Sequence, residues 1–218
     1  MKLLGSHNSL TYLKPKKWYL KPLAFMAKCQ GVDYRSQYQE HNIRLFDLRI
    51  CFNKKNALEV RHGMMVYDIS ENGVLEFINF LNTKGDCYVR IILEENNIQK
   101  KKSYAKKSEE CFIAYCEFLE KSFPDVKFFC GRRKYDWKCL YQFKNDEVPM
   151  LDMYSSTTRL IGDAHYNNFF SKFKNIADDW FPTIYAKTHN KKNYKEFMEK
   201  EDKELEVECL LFDFVHIR

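Results

Sequence analysis

Two histidines near the start of the chain stand among small and polar residues rather than in apolar runs. His7 lies in the stretch Gly-Ser-His-Asn-Ser at 5–9, and His62 is followed directly by Gly63. Because imidazoles titrate near neutral pH, one neutral and one protonated histidine can serve as general base and general acid. Each histidine also has an ordinary interpretation, as a turn residue or a loop residue.

Charged residues interrupt two apolar segments. Asp47 and Arg49 alternate with Leu45, Phe46, Leu48 and Ile50, and Glu94 follows Ile91-Ile92-Leu93. Residues at i and i+2 of a strand share a face, and charges inside a sheet need partners. The pattern fits either a buried structural ion pair or a pair of functional residues.

The elements that position these residues follow from short apolar runs that alternate with helix-like segments. The runs predict strands over 2–4, 44–50, 58–61, 88–93, 126–129, 150–153, 183–186 and 210–215. Helical spacing is found over 71–81, 102–121 and 193–205. This alternation predicts an α/β fold, a distorted and compact (β/α)8 TIM-type barrel that forms a single domain over residues 1–218.

In a parallel barrel the carboxyl ends of the strands meet on one face. The motif residues, which are expected at the strand ends, can therefore line one mouth, although they are far apart in the chain. These are His7, Asp47, Arg49, His62 and Glu94.

The composition fits a globular protein that acts on an anionic partner. The chain is 45% hydrophobic and carries 36 basic against 30 acidic residues, for a net charge of +6. This bias suits an anionic substrate or an anionic membrane surface. The lysine clusters at 100–107 and at 191–192 are followed by glutamates, which favours solvated helix faces over a polyanion groove, and no nucleic-acid partner is expected.

The eight cysteines are scattered, mostly in apolar runs, and no C-x-x-C pair occurs. This predicts buried free thiols rather than a zinc ribbon, a redox motif or a disulfide framework. The numbering begins without a signal peptide, and no run reaches about 18 apolar residues, the length of a membrane span. A cytoplasmic or peripheral-membrane location is expected, or secretion if a cleaved signal precedes this numbering.

The order and spacing of the motifs resemble the X domain of phosphatidylinositol-specific phospholipases C. The matching stretches are Gly-Ser-His-Asn-Ser at 5–9, Ile-Arg-Leu-Phe-Asp-Leu-Arg at 43–49, and His62-Gly63, which begins thirteen residues after Arg49. A helix with Glu-Phe-Ile-Asn-Phe at 76–80 and the strand before Glu94 match more faintly. The resemblance covers the first 95 residues or so and is specific as an ordered set.

The resemblance implies a mechanism and assigns roles. His7 would deprotonate the inositol 2-hydroxyl, which attacks phosphorus, and His62 would protonate the departing diacylglycerol oxygen, giving a cyclic inositol phosphate. Arg49 would bind the phosphoryl oxygens. A late acidic residue that orients the first histidine is expected at Asp213, and Asp47 is expected to brace Arg49 or His62.

The match to the metal-dependent branch of the family is partial. Asn8 follows His7 where bacterial members have aspartate, and it is shared with the calcium-dependent eukaryotic enzymes. Asn8, Asp47 and Glu94 match three oxygen-ligand positions of that branch, but Arg49 occupies the fourth and would repel a cation. The resemblance thus favours a site without metal or other cofactor, in which Glu94 pairs with Arg49 or a substrate hydroxyl. Calcium at Asn8, Asp47 and Glu94 is the alternative.

Head-group recognition rests on the family alone. The lysine and arginine that bacterial members bring to inositol fall near Glu95 and Met153, so neither cation is retained. The substrate-binding candidates are Asn8, Glu94, Asp152 and Tyr154. Asp152 and Tyr154 stand at the end of a predicted strand, and Tyr154 could stack on a sugar ring. The expected partner is a phospholipid or another phosphodiester at a membrane surface.

Two other functions fit the same barrel. A metal-dependent glycerophosphodiester phosphodiesterase usually begins with His-Arg and a cluster of acidic metal ligands, which this chain lacks at His7-Asn8. A catalytically idle barrel that binds lipid head groups or a protein is suggested by Asn8 and the missing inositol cations. The aromatic residues Trp18, Tyr19 and Phe25 stand among lysines, where they could touch a membrane interface, although packing over the barrel is the default expectation.

Overall fold

The computed structural model describes residues 1–94, 102–132, 150–155, 182–201 and 206–217. The strands are β1 Lys2–Ser6, β2 Leu45–Phe52, β3 Leu58–His62, β4 Met65–Val66, β5 Tyr88–Leu93, β6 Lys127–Arg132, β7 Met150–Ser155 and β8 Glu206–Phe212. The α-helices are α1 Ala24–Ala27, α2 Tyr34–Gln39, α3 Glu71–Asn82, α4 Lys102–Ser122 and α5 Pro182–Glu199, and short 3-10 helices cover Trp18–Leu23 and Val215–Ile217.

The strands form one mixed sheet. Six of them run parallel in the order β7-β8-β1-β2-β5-β6, while β3 and β4 form a hairpin that runs antiparallel beside the end of β2. The two outermost parallel strands, β6 and β7, are neighbours in the chain, and the residues between them, 133–149, lie outside the described part. The predicted α/β class is confirmed, and closure into a barrel stays a prediction.

Two of the predicted elements are wrong in type or direction. Residues 183–186, predicted as a strand, belong to helix α5, which begins at Pro182 and ends at Glu199 rather than extending to 205. Proline suits the first position of a helix, and a short β-branched and aromatic run does not distinguish a strand from a helix. The segment 58–61 is a strand, β3, but it is antiparallel and so does not belong to the parallel set.

Helices α3 and α4 agree with their predicted spans to within one residue. Ser70 caps α3 by accepting a hydrogen bond from the backbone N–H of Gly73. Val74, Phe77, Ile78 and Leu81 of α3 are buried, at the i, i+3, i+4, i+7 spacing that defines one helix face.

The sheet is buried on both faces. All eight residues of β2 are buried, as expected of a strand covered from both sides. On one face, alternate residues such as Phe46, Leu48 and Ile50 belong to the large core that includes α3 and α4. The other face carries a small apolar layer, which consists of Leu3, Leu45, Tyr88, Phe129, Cys209 and Leu211.

Gly5 lies on this second face, where no larger side chain would fit. A Cβ at Gly5 would lie 2.6 Å from Cδ2 of Leu211 and 2.8 Å from Sγ of Cys209. The apolar layer is therefore closely packed at Gly5, and the residue two positions further on, just past the end of β1, is His7.

The surface agrees only partly with the sequence-based expectations. Trp18 is 77% exposed, Tyr19 54% and Phe25 48%, so the expectation that they pack over the sheet is wrong. They lie in or beside a short 3-10 helix that contains Pro22 and buries none of its residues. Lys192 is exposed and forms an i,i+4 ion pair with Glu196, as predicted for a solvated helix face.

The cysteines of the described residues are free thiols, and six of those seven are buried, as predicted. Cys139 lies outside this part of the chain. Of the helices in the described ranges, none combines the length and the apolar character that a membrane crossing requires.

Candidate active site

Strand register places ionisable side chains in one row above the apolar layer. Ser6, the last residue of β1, pairs with Phe212 of β8 on one side and with Phe46 of β2 on the other. The residues that follow these three lie side by side, and the one in β2, Asp47, pairs in turn with Arg90 of β5. In the order β8, β1, β2 and β5, the row consists of Asp213, His7, Asp47 and Arg90.

The ring of His7 is held at both nitrogens. Its Nδ1 lies 2.7 Å from Oδ1 of Asp213, and its Nε2 is hydrogen-bonded to Nη2 of Arg49. Because a guanidinium only donates, Nε2 of His7 accepts, which assigns the ring proton to Nδ1 and makes Asp213 its acceptor. The His7 side chain is 13% exposed. The basic nitrogen Nε2 is thus directed toward Arg49.

The strand end that carries Asp213 is tied to the end of β1 by an amide side chain. Gln30 Nε2 donates to the carbonyl oxygens of His7 and Phe212, each at 2.8 Å. Asn190 of α5 donates to the carbonyl oxygen of Asp213 at 2.7 Å. The contact between His7 and Asp213 therefore rests on a fixed backbone as well as on the side chains.

Asp47 is fully buried between two guanidinium groups. Its Oδ2 lies 3.2 Å from Nε of Arg49, its Oδ1 lies 3.3 Å from Nε of Arg90, and the backbone N–H of Asn8 donates to Oδ2 at 3.1 Å. Burial alone would raise the pKa of Asp47, but Arg90 and Arg49 lower it below the ordinary aspartate value. Asp47 therefore stays charged and braces Arg49, one of the two roles expected for it.

Glu94 connects Arg49 to the turn after His62. Its Oε2 lies 3.5 Å from Nη1 of Arg49, and its Oε1 accepts a hydrogen bond of 2.5 Å from the N–H of Gly63. Burial would lower the pKa of Arg49, but the carboxylates of Asp47 and Glu94 raise it. Gly63 has a φ of +57°, a conformation that glycine adopts without strain. The sequence-based pairing of Glu94 with Arg49 agrees with this geometry.

His62 faces His7, with ring centroids 6.0 Å apart and planes at 75°. Its Nδ1 lies 2.9 Å from the carbonyl oxygen of Ala27, which also accepts from Oη of Tyr67 at 2.8 Å. A carbonyl only accepts, so Nδ1 of His62 carries the proton and Nε2 has the lone pair. Burial, together with the charge of Arg49, lowers the pKa of His62 to about 4. His62 is therefore neutral at pH 7 in the free protein.

The expectation that all the motifs stand at the carboxyl ends of parallel strands is only partly right. His7, Glu94 and Asp213 directly follow β1, β5 and β8. Asp47 and Arg49, however, lie inside β2, and His62 ends the antiparallel strand β3. His62 reaches the site because β3 runs back along β2, an arrangement that a model of identical βα units does not contain.

The donors proposed for calcium do not form a cage. The carboxylates of Asp47 and Glu94 both lie within ion-pair distance of Arg49, and the side-chain amide of Asn8 lies 3.3 Å from Nε2 of His7. A calcium ion held by Asp47 and Glu94 would have to displace a buried guanidinium. The residues present therefore do not fit that ion.

Four groups at the site were not foreseen from the sequence: Arg90, Cys29, Tyr67 and the carbonyl of Ala27. Arg90 interrupts an apolar strand just as Asp47 does, so the same pattern could have identified it. The other three lie at the end of α1, in the loop after it and just past the β3–β4 hairpin, where spacing carries no such signal. Asp152 and Tyr154 belong to β7, but their side chains lie outside the described part, and their binding role stays a prediction.

The chain resembles known proteins in structure but not in sequence. No family model and no curated protein matches it. Solved structures do match. A double mutant of the phosphatidylinositol-specific phospholipase C from Staphylococcus aureus aligns over 97% of this chain and 84% of its own, with a TM-score of 0.57 and 14% identity.

Two further structures of the same S. aureus enzyme give similar results. A single mutant has a TM-score of 0.56 at 13% identity and covers 97% of this chain and 84% of its own. A structure from work on the modulation of its membrane binding has a TM-score of 0.55 at 14% identity, with 97% and 85% covered. The likeness establishes the fold. At these identities, assignments of activity rest on the residues of the site.

Proposed function

We propose that this chain is a phosphodiesterase of the phospholipase C type, which cleaves phosphatidylinositol or a related lipid with a neighbouring hydroxyl. The observation that carries the proposal is that His7 and His62 face each other, with 6.0 Å between their ring centroids. Arg49 is hydrogen-bonded to His7 beside them. One phosphate group with its two ester oxygens can bridge the two rings. The likeness in fold to the S. aureus enzyme supports the same activity class.

The proposed reaction is an internal transfer. Nε2 of His7 takes the proton of the hydroxyl next to the phosphodiester, and that oxygen attacks phosphorus. The bond from phosphorus to the lipid oxygen breaks, and His62 gives its proton to this leaving oxygen. The products are a cyclic phosphate and diacylglycerol. Asp213 holds the Nδ1–H tautomer of His7 and stabilises the imidazolium that forms.

Arg49 would supply the charge stabilisation that a calcium ion supplies in the metal-dependent phospholipases C. Its guanidinium is held in place by Asp47 and Glu94, so its N–H groups need little reorganisation when charge grows on the phosphoryl oxygens. In the free protein one of these groups contacts His7. We propose that the substrate phosphate takes over this contact and frees the lone pair of His7, without a metal or other cofactor.

Binding of the substrate would convert His62 to the protonated form that acts as the acid. With a pKa lowered to about 4, His62 is neutral at pH 7 in the free protein and cannot donate the Nε2 proton that the reaction needs. An anionic phosphodiester beside the ring favours the protonated form and raises this pKa. Binding of substrate is therefore expected to take up a proton.

Contact with a membrane is proposed for the exposed segment around Trp18. Trp18, Tyr19 and Phe25 project into solvent, and Lys16 and Lys17 beside them are exposed. Aromatic side chains among lysines suit the interface of an anionic bilayer. The segment ends at Ala27, whose carbonyl holds His62, so a lipid bound there would lie near the acid.

The test is phosphorus NMR of phosphatidylinositol vesicles incubated with the purified chain. The expected product is a cyclic inositol phosphate, and His7→Ala is expected to lower its rate by about 10²–10⁴-fold. His41→Ala is the matched control, because His41 precedes β2 and does not belong to the row. A fully active His7→Ala protein would contradict the proposal.

The same assay separates the two alternatives. Addition of a chelator should leave the rate unchanged, whereas loss of activity with chelator, on glycerophosphodiesters, would favour the metal-dependent class. Vesicle binding without any product would favour a barrel that only binds head groups.

A further inference from the structure

We propose that His7, Cys29 and Asp213 form a binding site for a soft divalent metal ion of the Zn²⁺ type, which holds the active site in an inhibited state. The metal site itself follows from the geometry of the three side chains. Its inhibitory effect rests on the function proposed above, because His7 is the proposed base.

The three donors already lie together. One ring nitrogen of His7, Sγ of Cys29 and a carboxylate oxygen of Asp213 are all within 4.8 Å of one another. Around a tetrahedral zinc ion, with bonds of roughly 2.0–2.3 Å, ligand atoms stand about 3.3–3.6 Å apart. The three donor atoms therefore lie within about 1.5 Å of the separations that one tetrahedral ion requires.

Cys29 is fixed in this position by its own backbone. Its N–H donates to Oγ1 of Thr11 at 2.9 Å, and its carbonyl oxygen accepts from the N–H of Phe214 at 2.6 Å. Phe214 directly follows Asp213, so the same backbone contact that positions the thiol also positions the carboxylate. Sγ of Cys29 lies 3.5 Å from Nδ2 of Asn8 and 3.7 Å from Nδ1 of His62, on the inner side of the site.

The donor set selects the ion. Thiolate and imidazole ligands suit Zn²⁺ and disfavour Ca²⁺ and Mg²⁺, which take oxygen ligands. Three protein ligands leave a fourth tetrahedral position for water or for an oxygen of a bound phosphate. Cys29 is only 3% exposed, and its thiol releases its proton to solvent when the metal ion binds.

Metal binding would remove the base. A neutral imidazole has one lone pair, and coordination of either ring nitrogen uses it. The other nitrogen of His7 then carries the proton and cannot take a second one from a substrate hydroxyl. The ion also takes the carboxylate of Asp213 away from its contact with Nδ1 of His7.

The test is a titration of the purified full chain with Zn²⁺ in competition with a chromophoric chelator. One tightly bound ion per chain is expected. Cys29→Ser should weaken zinc binding by about 100-fold or more, because it removes a direct ligand. Loss of an outer-shell partner alone already costs about 10–100-fold in metal affinity. Cys111→Ser is the matched control, because Cys111 is a partly exposed thiol on α4, and it should bind zinc like the original chain.

Cobalt substitution in the unmodified chain tests directly whether a thiolate is a ligand. Co²⁺ bound to the unmodified chain should show a thiolate-to-cobalt charge-transfer band that zinc abolishes, and Cys111→Ser should retain this band. Absence of the band, or equal zinc affinity of Cys29→Ser and the original chain, overturns the inference.

The inhibitory effect is tested separately, with each protein compared with its own zinc-free rate on phosphatidylinositol vesicles. Zinc should inhibit the original chain and Cys111→Ser at the concentrations at which it binds. If the chain binds zinc through Cys29 but cleaves no phosphodiester, the metal site stands and the proposed function fails. If it is active and zinc binds without inhibiting it, the proposed inhibition fails while the proposed function stands.

Discussion

His7 and Asp213 are 206 positions apart in the chain, yet Nδ1 of the histidine lies 2.7 Å from Oδ1 of the aspartate. The contact follows from the parallel ladder between β1 and β8, which ends one residue before each of them. A carboxylate on Nδ1 makes Nε2 the basic nitrogen and stabilises the imidazolium that forms when a proton is taken up.

Asp213→Asn should retain the fold and lose most of the turnover. The amide can donate to His7 and stabilise the opposite tautomer, so we expect kcat to fall by about 10²–10⁴-fold with little change in KM. Steady-state kinetics with a soluble inositol phosphodiester measures this split. Asp86→Asn, at an exposed carboxylate, is the control, and an Asp213→Asn protein within twofold of the original chain would exclude the orienting role.

Asp47→Asn should destabilise the protein, because it leaves the buried guanidinium groups of Arg49 and Arg90 with less negative charge. Breaking a buried ion pair costs about 3–5 kcal/mol, and urea unfolding at pH 7 measures the loss. Asp86, half exposed and 2.7 Å from Arg44, provides the control, and its replacement by Asn should cost about 1 kcal/mol or less.

The same pair of variants gives a pH test. Because the pKa of Asp47 is lower in the folded than in the unfolded state, its contribution is present above the unfolded value, about 3.9, and is lost as the pH falls below it. The difference between Asp47→Asn and the original chain should therefore be constant near neutrality and shrink in acid. A difference that grows in acid would contradict the assignment.

Binding of a sulfate ion should be accompanied by proton uptake at His62. The pKa of this buried ring is lowered to about 4 in the free protein, and a nearby anion raises it. Calorimetry at pH 6 in buffers of different ionisation enthalpy should detect uptake of up to about one proton per sulfate. His62→Gln should abolish the uptake, and an identical heat in every buffer would show that His62 does not charge.

Trp18→Ala should weaken binding to anionic vesicles. Burying one large apolar side chain contributes about 1.5–3 kcal/mol, which corresponds to a loss of at least about tenfold in vesicle affinity. Cosedimentation measures this affinity, and Phe118→Ala on α4 is the control, because Phe118 is also an exposed aromatic residue. Equal losses for the two variants would mean that the segment around Trp18 has no special role at the bilayer.

The sequence was most informative where chemistry and strand periodicity coincide. The i, i+2 spacing of Asp47 and Arg49 predicted that the two charges share a face, and they contact each other. The α/β class and helices α3 and α4 also followed from periodicity.

Features set by tertiary contacts could not be predicted in this way. Residues 183–186 are β-branched and aromatic, yet they continue into a longer helix. His62 depends on a hairpin and on the backbone carbonyl of Ala27, which no side-chain pattern reveals. The exposure of Trp18 depends on what the rest of the chain leaves uncovered.

That His7 takes a proton and His62 gives one is tested most directly by changing the leaving group. Turnover of two inositol phosphodiesters is compared, one with an alkyl leaving group and one with a nitrophenyl group, which leaves without a proton. His62→Ala should lose about 10²–10⁴-fold on the alkyl ester and far less on the nitrophenyl ester, while His7→Ala loses activity on both. An equal loss on both esters for His62→Ala would contradict the account.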